Sequence, residues 1–256
     1  MMGAIAGDII GSVFEHRPVK TTQFPLFTEH STFTDDTVLT VAVARAVLTG
    51  GDYASCLRSF ARRYPDAGYG FSFFMWMQSD RGGPYNSWGN GSAMRVSPVG
   101  FAFESTDGVL EEAEKSAAVT HNHPEGIKGA QATALAVHLA AAGTEKAGIK
   151  EEIISRFGYD LDRALEAIRP WYRFDVSCQG SVPEAIIAFL ESESFADCIR
   201  KAVSLGGDSD TLACIAGGIA HAYYGEVPGH IVSAVRQRIP GEFLTIVDAF
   251  QDRFSW

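Results

Sequence analysis

Two short stretches of the chain combine carboxylates with hydroxyls: Thr34, Asp35, Asp36 and Thr37 in FTDDT, and Asp208, Asp210 and Thr211 in GGDSDT. Each opens an apolar run rich in small residues. Taken singly, either cluster reads as a helix N-terminus. Thr34 or Asp208 would cap, and the neighbouring aspartates would favour the positive end of the helix dipole. Together they ask for more, because one carboxylate is enough for a cap and a second beside it adds repulsion. Apolar sequence on both sides puts these ends in or beside the core, where an unpaired carboxylate is expensive. No Lys or Arg stands close in sequence to neutralise either cluster. A divalent cation would neutralise both. Carboxylates and threonine hydroxyls without Cys or His form an all-oxygen donor set, which suits Mg²⁺ or Mn²⁺ and not zinc. Asp35, Asp36, Asp208 and Asp210 carry enough charge for two such ions sharing a bridging carboxylate.

Three further stretches bear on chemistry. In YNSWGNGSAMR, Tyr85 to Arg95, Gly89 and Gly91 flank Asn90, and a loop of this kind can turn several backbone N–H groups toward one anion. It lacks the Lys of a P-loop and follows no clear strand, so by itself it reads as a tight turn. THNHPEG places His121 and His123 in a helix-boundary loop. At i and i+2 they share no helix face, and a surface or capping role is the plain reading. The aromatic and methionine run from Tyr69 to Met77 reads as core, with a cleft wall as the alternative.

The elements that must position these residues are helical. Ile5, Ile9 and Val13 recur at a spacing of four before Pro18, and Leu39, Ala42, Val43, Ala46 and Val47 follow the same rule up to Gly50 and Gly51. Further helices are expected over 109–118, 125–142, 151–168, 183–192, 195–205, 211–224, 229–238 and 241–252. Short β pieces are the alternative over 20–28 and 96–103. The expected fold is an all-α bundle in one domain, 1–256, whose Ala- and Gly-rich helices approach closely.

Composition sets the outer bounds. With 256 residues, 46% of them hydrophobic and 20% charged, the chain can bury one large core. A net charge of −10 argues against a broad nucleic-acid-binding face. Cys56, Cys178, Cys198 and Cys214 show no metal-binding spacing and read as reduced thiols. The N-terminus lacks a basic region and carries Asp8 and Glu15, and no apolar run is long enough for a membrane span. A cytoplasmic protein, monomeric or a small oligomer, is expected.

In order along the chain, GAIAGDIIGSVFE, FTDDT, GNGSAMRVSPVG, THNHPEGIKGA, SVPEAIIAFL and GGDSDTLACIAGGIA resemble the ADP-ribosylglycohydrolase family. That family includes the dinitrogenase-reductase-activating glycohydrolases and the ADP-ribosyl-acceptor hydrolases. The resemblance implies an orthogonal all-α fold with a binuclear Mg²⁺ or Mn²⁺ centre at the bottom of an ADP-ribose cleft. By match of motifs, the metal ligands are Thr34, Asp35, Asp36, Asp208, Asp210 and Thr211, with Glu15 nearby. Tyr85, Asn86, Ser87, Trp88, Gly89, Asn90 and Gly91 fall on the segment that wraps the diphosphate, with Ser87 and backbone amides as donors and Trp88 lining the cleft. His121 becomes a neutral donor to the ligand's ribose or phosphate. Val176 falls on the adenine side, with stacking from Phe174 as a further option.

The implied reaction is hydrolysis of the bond between the anomeric carbon of ADP-ribose and an acceptor, through an oxocarbenium-like state. Glu15 is the first candidate to handle the proton, with Asp35 or Asp208 in reserve. The acceptor, whether a protein side chain, a nucleic-acid base or a small molecule, is left open. Two rival readings use the same residues: a two-metal nucleotide phosphohydrolase, and a non-catalytic ADP-ribose-binding protein.

Overall fold

In the computed structural model, which describes residues 1–254, the apolar repeat of three to four residues becomes helix almost wherever it occurs. The first seven helices are α1 (Met2–Gly11), α2 (Asp35–Thr49), α3 (Tyr53–Arg63), α4 (Phe71–Gln78), α5 (Gly91–Met94), α6 (Ser97–Ala102) and α7 (Thr106–Ala118). The next four are α8 (Pro124–Ala141), α9 (Lys146–Phe157), α10 (Leu165–Ile168) and α11 (Cys178–Leu190). The last four are α12 (Phe195–Val203), α13 (Ser209–Tyr224), α14 (Gly229–Arg236) and α15 (Gly241–Arg253). Among the described residues there is no strand, and one isolated antiparallel bridge joins Gly89 to Ser177. The protein is all-α, as expected.

Where the helices differ from expectation, local chemistry explains it. The segment 151–168 is not one helix. Gly158, with φ of 64°, closes α9 in the left-handed conformation, and α10 is a separate turn. The possible strand over 96–103 is α6, where Pro98 occupies the first helical turn. Residues 20–28 form no strand either; Arg200 holds them through hydrogen bonds to the carbonyls of Thr22 (2.9 Å) and Phe24 (2.6 Å). Helix α11 starts five residues before Pro183, because Ser177 Oγ caps it by accepting from the Gly180 amide (3.0 Å).

The core is organised by α1 and α13, which pack more extensively than any other helix pair. Gly3, Gly7 and Gly11 repeat every fourth residue and so form one stripe along α1. Along that stripe the two backbones touch: a Cβ on Gly7 would collide with the Ala213 carbonyl, and one on Gly11 would lie 2.5 Å from Asp210 Cα. This close approach delivers Asp8, the residue after Gly7, to the first turn of α13. Gly7→Ala is therefore expected to destabilise the fold by about 3 kcal/mol through overpacking. Thermal unfolding would show it as a drop of roughly 6–12 °C; an unchanged midpoint would refute the close approach.

Candidate active site

Thr34 caps α2 as its residue type predicts, its Oγ1 accepting from the Asp36 amide at 3.3 Å. Asp208 occupies the corresponding position before α13 but makes no capping hydrogen bond. Its Oδ2 instead accepts from Asn90 Nδ2 at 2.8 Å. The Asp208 carboxylate is thereby turned away from its own helix and toward a cleft.

Beneath the two helix starts lies Asp8, fully buried and four-fold hydrogen-bonded. It accepts from the Thr34 amide (3.0 Å), Thr34 Oγ1 (2.7 Å), the Thr37 amide (3.1 Å) and Thr37 Oγ1. Thr211 Oγ1 donates to Asp36 Oδ2 across the junction at 3.3 Å. Carboxylate oxygens of Asp8, Asp36 and Asp210 come within 4.8 Å of one another, as do those of Glu15, Asp208 and Asp210. Asp210 belongs to both triads. Asp35 lines the same cleft but falls in neither.

This concentration of negative charge is not neutralised by side chains. Among the described residues no Lys or Arg forms an ion pair with any of the six acids, and exposed His16, 3.7 Å from Glu15, is the one basic side chain within ion-pair distance of them. Burial, followed by repulsion from Asp210, holds Asp35, Asp36 and Asp208 well above the usual carboxylate range. The same two causes raise Asp8 to about 7 and push Glu15 upward. Asp36 Oδ1 and Asp210 Oδ1 are buried with no hydrogen-bond partner. Buried carboxylate oxygens without a proton donor are what a cation site looks like before its cation. An oxygen-only set at two adjoining positions fits hard divalent ions.

Five of the six acids, all but Asp8, line a cleft of about 450 Å³. Glu15, Thr34, Asp35, Asp36, Asp208, Asp210 and Thr211 line it together with Tyr85, Ser87, Gly89, Asn90, Gly91, His121, Phe174 and Val176. Asn86 and Trp88 are exposed and are not among the lining residues. Asn86 carries a φ of 56° and donates its amide to Asn122 Oδ1 (2.7 Å), so it shapes the turn. Two amides of the loop are already engaged: Gly89 N–H donates within the loop to Ser87 Oγ (3.1 Å), and Asn90 N–H donates across to the Val176 carbonyl (2.7 Å). The Asn90 amide group donates to Ser181 Oγ (3.0 Å) and Asp208, so its side chain orients an acid. His121 is buried and neutral, its pKa pushed well down by burial and then by the Arg95 charge. His123 takes the capping role at α8, accepting from the Glu125 amide at 3.1 Å.

The aromatic run supplies further lining and serves both expected purposes. In α4, Phe73, Trp76 and Met77 are buried, whereas Phe71 is 80% exposed at the cleft. Ahead of it, Gly68 takes a φ of 102° beside Asp35, whose amide donates to the Ala67 carbonyl at 2.7 Å. Nothing in local sequence singles out Gly68 or Arg95 as cleft residues, or Asp8 as the acid beneath them. A lone charge in the Ala/Gly-rich first helix is the one sequence signal that Asp8 gives.

The chain is similar to several known proteins. A family model described as ADP-ribosylglycohydrolase matches residues 1–255. ADP-ribosylhydrolase ARH3 of Bos taurus is 30% identical over 305 residues, covering 88% of this chain and 84% of the relative. ADP-ribosyl-(dinitrogen reductase) glycohydrolase of Rhodospirillum rubrum is 26% identical over 231 residues, covering 84% of this chain and 78% of the relative. A solved ADP-ribosylglycohydrolase-related protein complex aligns with a TM-score of 0.76 at 26% identity, over 98% of this chain and 96% of that one. With the match running from the first residue through the acids of α13, the chain belongs to the ADP-ribosylglycohydrolase family.

Proposed function

We propose that this protein hydrolyses the glycosidic bond between ADP-ribose and an acceptor, releasing ADP-ribose, with two Mg²⁺ or Mn²⁺ ions as cofactors. The observation that carries this reading is the pair of carboxylate triads sharing Asp210, with unpartnered buried oxygens, beside a cleft that a glycine loop also lines. Thr34, Asp36, Asp208, Asp210 and Thr211 would hold the ions, with Asp35 beside them and Asp8 behind. When bound, the ions would supply Lewis-acid polarisation and offset the negative charge of the acids around them. The glycine loop and His121 orient the ligand's diphosphate and ribose. Val176 and Phe174, both half-exposed at the cleft, bear on the adenine.

Glu15 handles the proton. Its half-buried carboxyl, raised by burial and by Asp210, lies nearer to the range in which a group can both take and give a proton near neutral pH. Glu15→Gln is expected to lower turnover at least about a hundredfold with little change in bound metal. Equal loss of both would make Glu15 a ligand and pass the proton to Asp35 or Asp208.

The chain acts as a single domain in a reducing compartment, consistent with four unpaired cysteines. Among the described residues no helix is long and apolar enough to cross a membrane. The deciding experiment is product analysis over a panel of defined ADP-ribosyl linkages, with each metal. Intact ADP-ribose supports the proposal. AMP with ribose phosphate would make the protein a nucleotide phosphohydrolase, and binding of ADP-ribose without turnover would make it a reader.

A further inference from the structure

Arg95 ends the glycine loop, fully buried, and lines the cleft. Among the described residues no carboxylate forms an ion pair with it, and its Nε and Nη1 have no partner. A buried guanidinium so poorly matched is a burden on stability, so its position calls for another reason. Its Nη2 donates to the Ser116 carbonyl (3.1 Å) and to Thr120 Oγ1 (2.8 Å). The same Thr120 oxygen lies 2.7 Å from His121 Nδ1.

A guanidinium can donate and never accept, so Thr120 Oγ1 must be the acceptor in its bond to Arg95. The hydroxyl proton then needs an acceptor of its own. Among the described residues His121 Nδ1 is the one acceptor within hydrogen-bond distance of it. The alternative, with Nδ1–H donating to Thr120, strands the hydroxyl proton in a buried position. Thr120 O–H therefore donates to Nδ1, which leaves the ring proton of the neutral imidazole on Nε2. Nε2 faces the glycine loop: a Cβ on Gly91 would lie 3.1 Å from it, and one on Gly89 3.6 Å. Two residues without side chains thus leave a path from Nε2 to whatever the loop holds.

We propose that Thr120, clamped by Arg95, is a positioning residue that locks His121 as the Nε2–H tautomer, aimed at an anionic oxygen of the ligand in the Gly89–Gly91 loop. The identity of that oxygen as phosphoryl rests on the reading of the cleft as an ADP-ribose site; the tautomer does not. The opposite tautomer would present a bare lone pair to the anion. A protonated imidazole is disfavoured by burial and by the neighbouring guanidinium, so the neutral form must supply the donor.

The test is nitrogen-15 NMR of the full chain labelled at histidine, with and without free ADP-ribose. Wild-type His121 is expected to show the Nε2–H pattern near neutral pH. Thr120→Val removes the hydroxyl with little change of shape. It is expected to mix the two tautomers and weaken ADP-ribose binding about tenfold, raising KM more than it lowers kcat. Thr120→Ser is expected to restore the spectrum and the affinity. An Nδ1–H pattern in the wild type overturns the proposal, as does a Thr120→Val protein with the wild-type spectrum and affinity. Because the free protein's spectrum reports the tautomer by itself, failure of the ADP-ribose reading appears separately, as wild-type protein that does not bind ADP-ribose.

Discussion

Asp210→Asn is expected to lower turnover of an ADP-ribosylated substrate about a hundredfold and to make the cation-free protein more stable, not less. The two halves of this result have one cause. Asp210 contributes an oxygen to both carboxylate triads, so its loss removes a ligand from each proposed ion position at once. Without cations the same charge repels Asp8, Asp35, Asp36, Asp208 and Glu15, each of which it pushes toward the protonated form. An amide of nearly the same shape removes that repulsion. Thermal unfolding in chelator and in Mg²⁺ or Mn²⁺ separates the effects. The variant should unfold at a higher temperature than wild type in chelator and should gain little from either ion. A variant that is less stable in chelator yet gains as much from metal as wild type would show that Asp210 is not shared between two ions.

Stability of the cation-free protein is expected to fall as pH rises from 3.8 to about 7, the interval between the ordinary and the folded values for Asp8. Because the folded-state value is raised, the folded protein binds more protons than the unfolded chain in this window. Stability is then highest at the acid end and is lost with rising pH. Asp8 alone accounts for a change on the order of 4 kcal/mol, and Asp35, Asp36, Asp208 and Glu15 act in the same direction. Cations must displace those protons to bind, so the stabilisation they give should grow over the same interval. Calorimetry across this range, in chelator and in millimolar Mg²⁺ or Mn²⁺, checks both slopes. A cation-free protein whose unfolding temperature is flat or rises with pH would mean that these acids are not mutually buried.

Long helices were legible because their apolar faces repeat over three or more turns, as in α2, α8 and α13. Shorter elements were not. Helix α5 has four residues and α6 has six, too few for a period to register. The segment 96–103 around α6 could pass for a strand because Val99, Phe101 and Phe103 alternate. The break between α9 and α10 turned on a single glycine conformation, and Gly158 alone does not announce whether it ends a helix or sits within one.

The chemistry of the cleft followed the same division. Residue type and spacing by themselves determined that two oxygen-rich clusters head two apolar helices, that no nearby cation balances them, and that a glycine loop accompanies them. These are properties of neighbours in the chain. Tertiary packing alone decided that α1 and α13 touch along a stripe of glycines, which carries Asp8 under both clusters and makes Asp210 common to two triads. It alone turned Asn90 from a loop residue into the partner of Asp208, and joined Arg95 through Thr120 to His121. A carboxylate's neighbours through space depend on which backbones can approach, and that depends on side-chain volume summed over helices far apart in the chain.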